Sequence, residues 1–102
     1  IERTLIDISV RPVYAGGVFE VLEAYKLAKG KISVVKLANY LTQLDFIYPY
    51  HQVIGFYLER AGYSETEIEH FKKDMKFNFY LTYDIRNKEF SEKWKLYYPK
   101  GI

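Results

Sequence analysis

Apolar residues recur at three- and four-residue steps through most of this chain and switch to alternation near its end. The densest stretch runs from Tyr48 to Gly62, where Tyr50, Val53, Ile54, Tyr57, Leu58 and Ala61 share one wide helical face. Phe56 falls off that face, so the spacing predicts a central helix covered on more than one side. Pro49 suits the first turn, where a missing N–H costs nothing, and Gly62 suits the left-handed residue that ends the helix. Gly55 in mid-helix costs about 1 kcal/mol relative to Ala. Its presence predicts a neighbouring backbone passing close by.

Before this helix the pattern is less uniform. Ile6, Ile8 and Val10 alternate with Asp7 and Ser9 as in a strand, whereas Leu5 with Ile8, and Asp7 with Arg11, suit a helix. Arg11-Pro12 closes the segment, and Tyr14-Ala15-Gly16-Gly17 is a turn. Val18, Val21, Leu22 and Tyr25 then form the stripe of an amphipathic helix with Glu20 and Glu23 early, Lys26 and Lys29 late, and Gly30 after its end. Ser33 caps the next helix, with Ile32 and Leu37 placed as a hydrophobic staple and Val34, Leu37, Ala38, Leu41 and Leu44 as the stripe. Downstream, Ser64-Glu65-Thr66-Glu67 is a capping box, flanked by Tyr63 and Ile68, and Ile68, Phe71 and Met75 point inward.

At the C-terminal end Phe77, Phe79, Leu81, Tyr83 and Ile85 alternate with polar residues, which predicts a strand with one buried face. Trp94, Leu96 and Tyr98 alternate with Lys93, Lys95 and Tyr97, and the two runs are expected to pair as an antiparallel hairpin. Helices first and strands last, without βαβ alternation, predict an α+β fold: four to five packed helices followed by a C-terminal antiparallel β-hairpin.

A length of 102 residues fits one domain over positions 1–102. At 49% hydrophobic and 19% aromatic residues the chain is expected to fold rather than remain disordered. No apolar run reaches membrane-spanning length, no signal-peptide pattern opens the chain, and it has no cysteine for disulfides or thiolate metal sites. A cytoplasmic protein with no membrane partner is expected. Few Asn and Gln beside many Lys, Glu and Tyr point to a thermophilic source. The chain opens on Ile1 rather than Met, and is expected to be the downstream part of something longer.

Catalytic chemistry finds little to work with. Ser9, Ser33 and Ser64 read as cap or strand positions, and no serine lies in a nucleophile-elbow setting. His51 and His70 have no partners at metal-ligand spacing, and Gly16-Gly17 is no phosphate loop. His51 is placed to bond a carbonyl or a tyrosine hydroxyl, and His70 to be solvated. A non-enzyme without cofactor or metal is expected. The formal net charge of +2 is too small to argue for nucleic acid, but local charge is more informative. From Lys26 to Leu44 there are Lys26, Lys29, Lys31 and Lys36 and no acid, and these four are the candidate DNA-binding residues, through phosphate contacts that position without specifying sequence. Lys72, Lys73 and Lys76 form a second cluster, and Arg86, Lys88, Lys93, Lys95 and Lys100 a third. The eleven tyrosines offer stacking surfaces for bases, though most fall on stripes predicted to face inward.

In order along the chain, Glu2-Arg3-Thr4-Leu5-Ile6-Asp7, Arg11-Pro12, Tyr14-Ala15-Gly16-Gly17 and Glu20-Val21 form a characteristic opening. Ile54-Gly55-Phe56-Tyr57-Leu58-Glu59, then Phe79-Tyr80-Leu81-Thr82, then Lys93-Trp94-Lys95-Leu96 follow it. This succession resembles the C-terminal domain of the AbiEi family of abortive-infection, type IV toxin–antitoxin antitoxins and covers nearly the whole chain. The resemblance implies an N-terminal winged-helix domain upstream that binds operator DNA. It also implies an antitoxin-type domain here that counters a nucleotidyltransferase-like toxin and supports DNA binding, and a helix over Thr4–Arg11. Two segments depart from the family pattern. Tyr83 and Asp84 stand where a proline is expected, and Ile47-Tyr48-Pro49-Tyr50 replaces a more basic entry to the central helix.

The expected function is that of a non-enzymatic regulatory domain of an AbiEi-like transcriptional regulator, with operator DNA and a cognate toxin as partners. The alternative is a protein-interaction or oligomerisation module without nucleic-acid binding, its exposed tyrosines forming the interface. In either case Asp7 and Arg11 are expected to pair and anchor the turn that follows.

Overall fold

A computed structural model describes residues 1–102. Five helices, α1 (Glu2–Val10), α2 (Val18–Ala28), α3 (Val34–Leu44), α4 (Tyr50–Arg60) and α5 (Glu65–Ile68), precede a sheet of β1 (Phe79–Tyr80), β2 (Lys88–Ser91) and β3 (Leu96–Pro99). Short 3-10 turns follow α1 at Pro12–Ala15 and α5 at Glu69–Phe71. The α+β reading therefore holds. No helix is long and apolar enough to cross a membrane.

The ambiguous first segment is helical because Leu5, Ile6 and Ser9 fall together on its buried side. The Ser9 hydroxyl donates to Leu5 O at 2.7 Å and shares a hydrogen bond with the Tyr25 phenol at 2.6 Å, which satisfies a polar group the core would otherwise penalise. Asp7 does not pair with Arg11 as expected. It pairs with Arg3, one turn earlier on the exposed face, while Arg11 lies past the helix end with its guanidinium over the Tyr14 ring. The predicted caps are both present. Ser33 Oγ accepts from Lys36 N, and Ser64 and Glu67 exchange the reciprocal bonds of a capping box.

Helix α4 is the centre of the domain, with every residue from Gln52 to Leu58 buried. Helices α1, α2 and α5 pack on it, and the sheet closes another side through Trp94. The neighbour that explains Gly55 is not a backbone but the Trp94 indole: a β-carbon at Gly55 would lie 2.8 Å from Trp94 Cε3 and closer still to Cζ3 and Cη2. The buried Gln52 amide adds a polar tie, donating to Trp94 O at 2.8 Å and to Phe77 O and Lys95 O at 3.1 Å. Trp94 Nε1 donates to Glu59 Oε1 at 2.9 Å, and Lys93 pairs with the same carboxylate. One helix thus holds the sheet by ring packing, amide hydrogen bonds and a charged contact.

The sheet corrects the expected pairing. Strand order is β1-β3-β2, with β1 parallel to β3 and β2 antiparallel to it. The antiparallel hairpin exists, but its first strand is Lys88–Ser91, which includes Phe90, rather than Phe77–Ile85. Two left-handed residues, Asp84 and Asn87, turn the chain before Lys88, and a third, Lys95, closes the turn that carries Trp94. Of the alternating run, Leu81 is buried and Phe79 partly so, while Phe77 and Tyr83 face solvent at 70% and 91% exposure. The alternation was therefore a misleading cue.

Candidate aromatic interface

The residues entering α4 do not continue its buried stripe. They form an aromatic cluster at the rim. Phe46 meets Tyr50 edge-on at 5.0 Å between ring centroids, Tyr50 meets Phe79 edge-on at 5.5 Å, and Tyr48 stacks on Phe79 at 5.8 Å. Val10 and Pro12 at the end of α1 supply the facing wall, and Tyr80 to Ile85 with Lys88 complete a cleft of about 580 Å³. Burial pushes the Tyr50 phenol above its ordinary value; nearby Tyr83 and Tyr48 add to this and Arg11 opposes it. Asp84 is the one carboxylate in the lining.

Tyr80 turns the other way from Phe79, onto the outer face of the sheet. There it stacks on its register partner Tyr97 at 5.0 Å, and Tyr97 meets its own partner Phe90 at 4.8 Å. Lys88 Nζ lies 5.7 Å from the Tyr80 centroid and 5.8 Å from that of Tyr97. Because pleated side chains alternate, Leu96 and Tyr98 point to the opposite face, where Leu96 is buried and Tyr98 packs on Phe56.

Six of the eleven tyrosines are in or against the core, Tyr40, Tyr50 and Tyr98 among them only partly buried. Only Tyr25, Tyr57 and Tyr63 are buried, whereas Tyr14, Tyr48, Tyr80 and Tyr83 are exposed. Burial pushes the phenols of Tyr25 and Tyr57 well above their ordinary value and that of Tyr63 up to about 12. These three are core groups.

The candidate DNA-binding lysines sit elsewhere. Lys26, Lys29, Lys31 and Lys36 are all exposed, around the end of α2 and the start of α3. Ser33 N donates to Glu2 at the start of α1, and Lys29 Nζ lies beside Gly62 past the end of α4. The cleft is at the other ends of both helices, which are about 13 and 16 Å long at 1.5 Å per residue. A segment without acids in sequence also gains acids in space. Glu23 pairs with Lys26, and the Ser33 amide holds the Glu2 carboxyl, which faces Lys36, below the ordinary carboxylate range. In the second and third clusters, Lys72 and Lys93 are engaged by Glu59, Glu65 and Glu69.

His51 is half-buried, and its Nε2 is buried without a hydrogen-bond partner. Burial pushes the imidazole below its ordinary value, opposed by the backbone at Asp74 and Lys73. His70 is exposed. No three His, Cys, Asp or Glu side chains gather as a metal-binding group. The aromatic cleft was absent from the sequence reading, and the signal that could have found it was the run Phe46-Ile47-Tyr48, apolar yet outside every helical stripe. No family model, curated protein or solved structure matches the chain.

Proposed function

We propose that this chain is a non-enzymatic regulatory domain that works through its surface, as the resemblance to AbiEi-like antitoxins and transcriptional regulators implies. The aromatic end contacts a nucleotidyltransferase-type toxin, and the lysine end supports operator DNA binding by the protein to which the domain belongs. The observation that carries this reading is the exposed aromatic cleft, beside which Ile47 and Tyr83 are 96% and 91% exposed. Exposed apolar groups gathered around a concave surface mark interaction sites, and tyrosines make strong anchors there. The lysine end lies at the far ends of α1 and α4, so the two contacts do not compete.

The test is co-purification with a nucleotidyltransferase-type toxin, using the parent chain and a Tyr48→Ala/Tyr83→Asp variant. The complex forms with the parent and is lost with the variant, while a gel shift on duplex DNA remains and weakens with salt. Failure of both assays refutes the reading. The exposure of Ile47 favours a second reading, self-association through the same cleft, which sedimentation equilibrium distinguishes by a mass of twice the monomer.

A further inference from the structure

We infer that the outer face of the sheet is a stacking platform for single-stranded RNA. This goes beyond the toxin and operator contacts, and because Tyr80 and Lys88 also line the cleft read as the toxin contact, the experiment below separates the two.

The inference rests on register. Three aromatic rings, Tyr80, Tyr97 and Phe90, occupy one row across all three strands, because Tyr80 pairs with Tyr97 and Tyr97 with Phe90. Cross-strand packing accounts for the ring contacts themselves. It does not account for a row left open to solvent, in which Tyr80 is 47% exposed and Tyr97 and Phe90 are partly exposed. Leu81, Leu96 and Trp94 already bury the side that faces α4, so the outer row is not needed for the core.

Charge selects the ligand. Lys88 is held over the two tyrosines, and Arg86 and Lys100 flank the same end of the hairpin, where Lys100 N donates to Asn87 O. Glu89 shares its register position with Tyr98 and so lies on the opposite face, Asp84 is the one carboxylate of the adjoining cleft, and no Asp or Glu occurs from Leu96 to Ile102. Tyr97 is covered by Tyr80 on one side and Phe90 on the other, so the ring left to a base is Tyr80, on the edge strand and 47% exposed, with cations beside it for the anionic backbone. A duplex hides its base faces and cannot use such a row. Hydroxyls distinguish RNA from DNA: the adjoining cleft carries those of Tyr48, Tyr50, Thr82 and Tyr83, each able to donate to or accept from a ribose 2′-hydroxyl.

The experiment is fluorescence anisotropy of a labelled oligouridine of about 12 nucleotides, within the roughly 4–16 that single-strand-binding barrels cover. The parent chain binds, and more weakly as salt rises. Tyr80→Ala weakens binding roughly 5- to 150-fold, the range for loss of one stacking ring. Lys88→Ala weakens it and makes the salt slope shallower by about 0.7. Tyr80→Trp keeps affinity, and its emission is quenched by RNA while Trp94, fully buried, gives a steady background. Near-UV circular dichroism of Trp94 shows that each variant is folded. Absence of binding at low salt, indifference to Tyr80→Ala, or equal affinity for duplex or oligothymidine would overturn the proposal. Loss of a protein complex on Tyr80→Ala without any RNA binding would assign the row to a protein contact instead.

Discussion

Replacing Gly55 by alanine adds a single methyl group, yet its effect separates two physical accounts of the same position. By helix propensity alone the change stabilises α4 by about 1 kcal/mol. The structure puts the new carbon against the Trp94 ring, 2.8 Å from Cε3 and nearer to two further ring atoms. An indole is rigid, and this one is fully buried, with Nε1 tied to Glu59 and its backbone carbonyl to Gln52. It can yield only by moving the β2–β3 turn. Overpacking of this severity lies at or above the ~3 kcal/mol end of the usual range, so the net loss is at least ~2 kcal/mol after the propensity gain. For a domain of this size that lowers the melting temperature by about 8–16 °C. Thermal and urea denaturation measure the loss, and near-UV circular dichroism reports displacement of Trp94. Trp94→Leu in the Gly55→Ala background relieves part of the added cost, seen as coupling in a double-mutant cycle. Gly30→Ala serves as a contrast. Nothing lies within 4 Å of that β-carbon, but φ is +81°, so the cost is the backbone's alone, about 1–2 kcal/mol, with the Trp94 signal unchanged. A Gly55→Ala protein as stable as the parent would refute the packing argument.

Glu59 supplies a pH prediction. Partial burial pushes its carboxyl up, but hydrogen bonds from Lys93 and Trp94 outweigh that and hold it below the ordinary value of 4.5. The stability it contributes is present above 4.5 and lost as pH falls through its folded value, so Glu59→Gln flattens the acid limb of a urea-midpoint profile. His51 acts in the same direction at higher pH. Its folded value is depressed below 6.5, so stability falls as pH drops below 6.5, and His51→Gln removes that slope; NMR titration of the imidazole checks the shift directly. Tyr63→Phe deletes the hydroxyl that donates to Tyr25 O at 2.8 Å and costs about 0.5–1.5 kcal/mol by denaturant melts, or more if the carbonyl is left dry.

The caps, the amphipathic helices and the central helix were legible in the sequence because each depends on residues within one or two turns. Ser33 and Ser64 bond N–H groups three positions on, and a stripe at helical spacing needs only some neighbour to cover it. Strand pairing was not legible. Leu81 has the right alternation for the hairpin, but the choice between Phe77–Ile85 and Lys88–Ser91 as the antiparallel partner rests on left-handed turns at Asp84, Asn87 and Lys95 that no glycine marks. The candidate site was harder still. Its aromatic residues come from the loop before α4, the first residue of α4, β1 and the segment after it, and the remaining wall from the end of α1 and the start of β2, stretches that meet only after the helices pack.

By itself, then, the sequence determined that the segments of α2 to α5 are helical, and that a crowded helix with a glycine at its middle holds the centre, since these follow from local backbone preferences and side-chain spacing, whereas α1 read equally as a strand until its packing decided it. Only the tertiary structure decided that an indole fills the glycine's space, that aromatic rings line up on an open sheet face, and that the lysines lie at the opposite end. Those outcomes depend on contacts between residues far apart in the chain, and a one-dimensional pattern records what a side chain is without recording what it will meet.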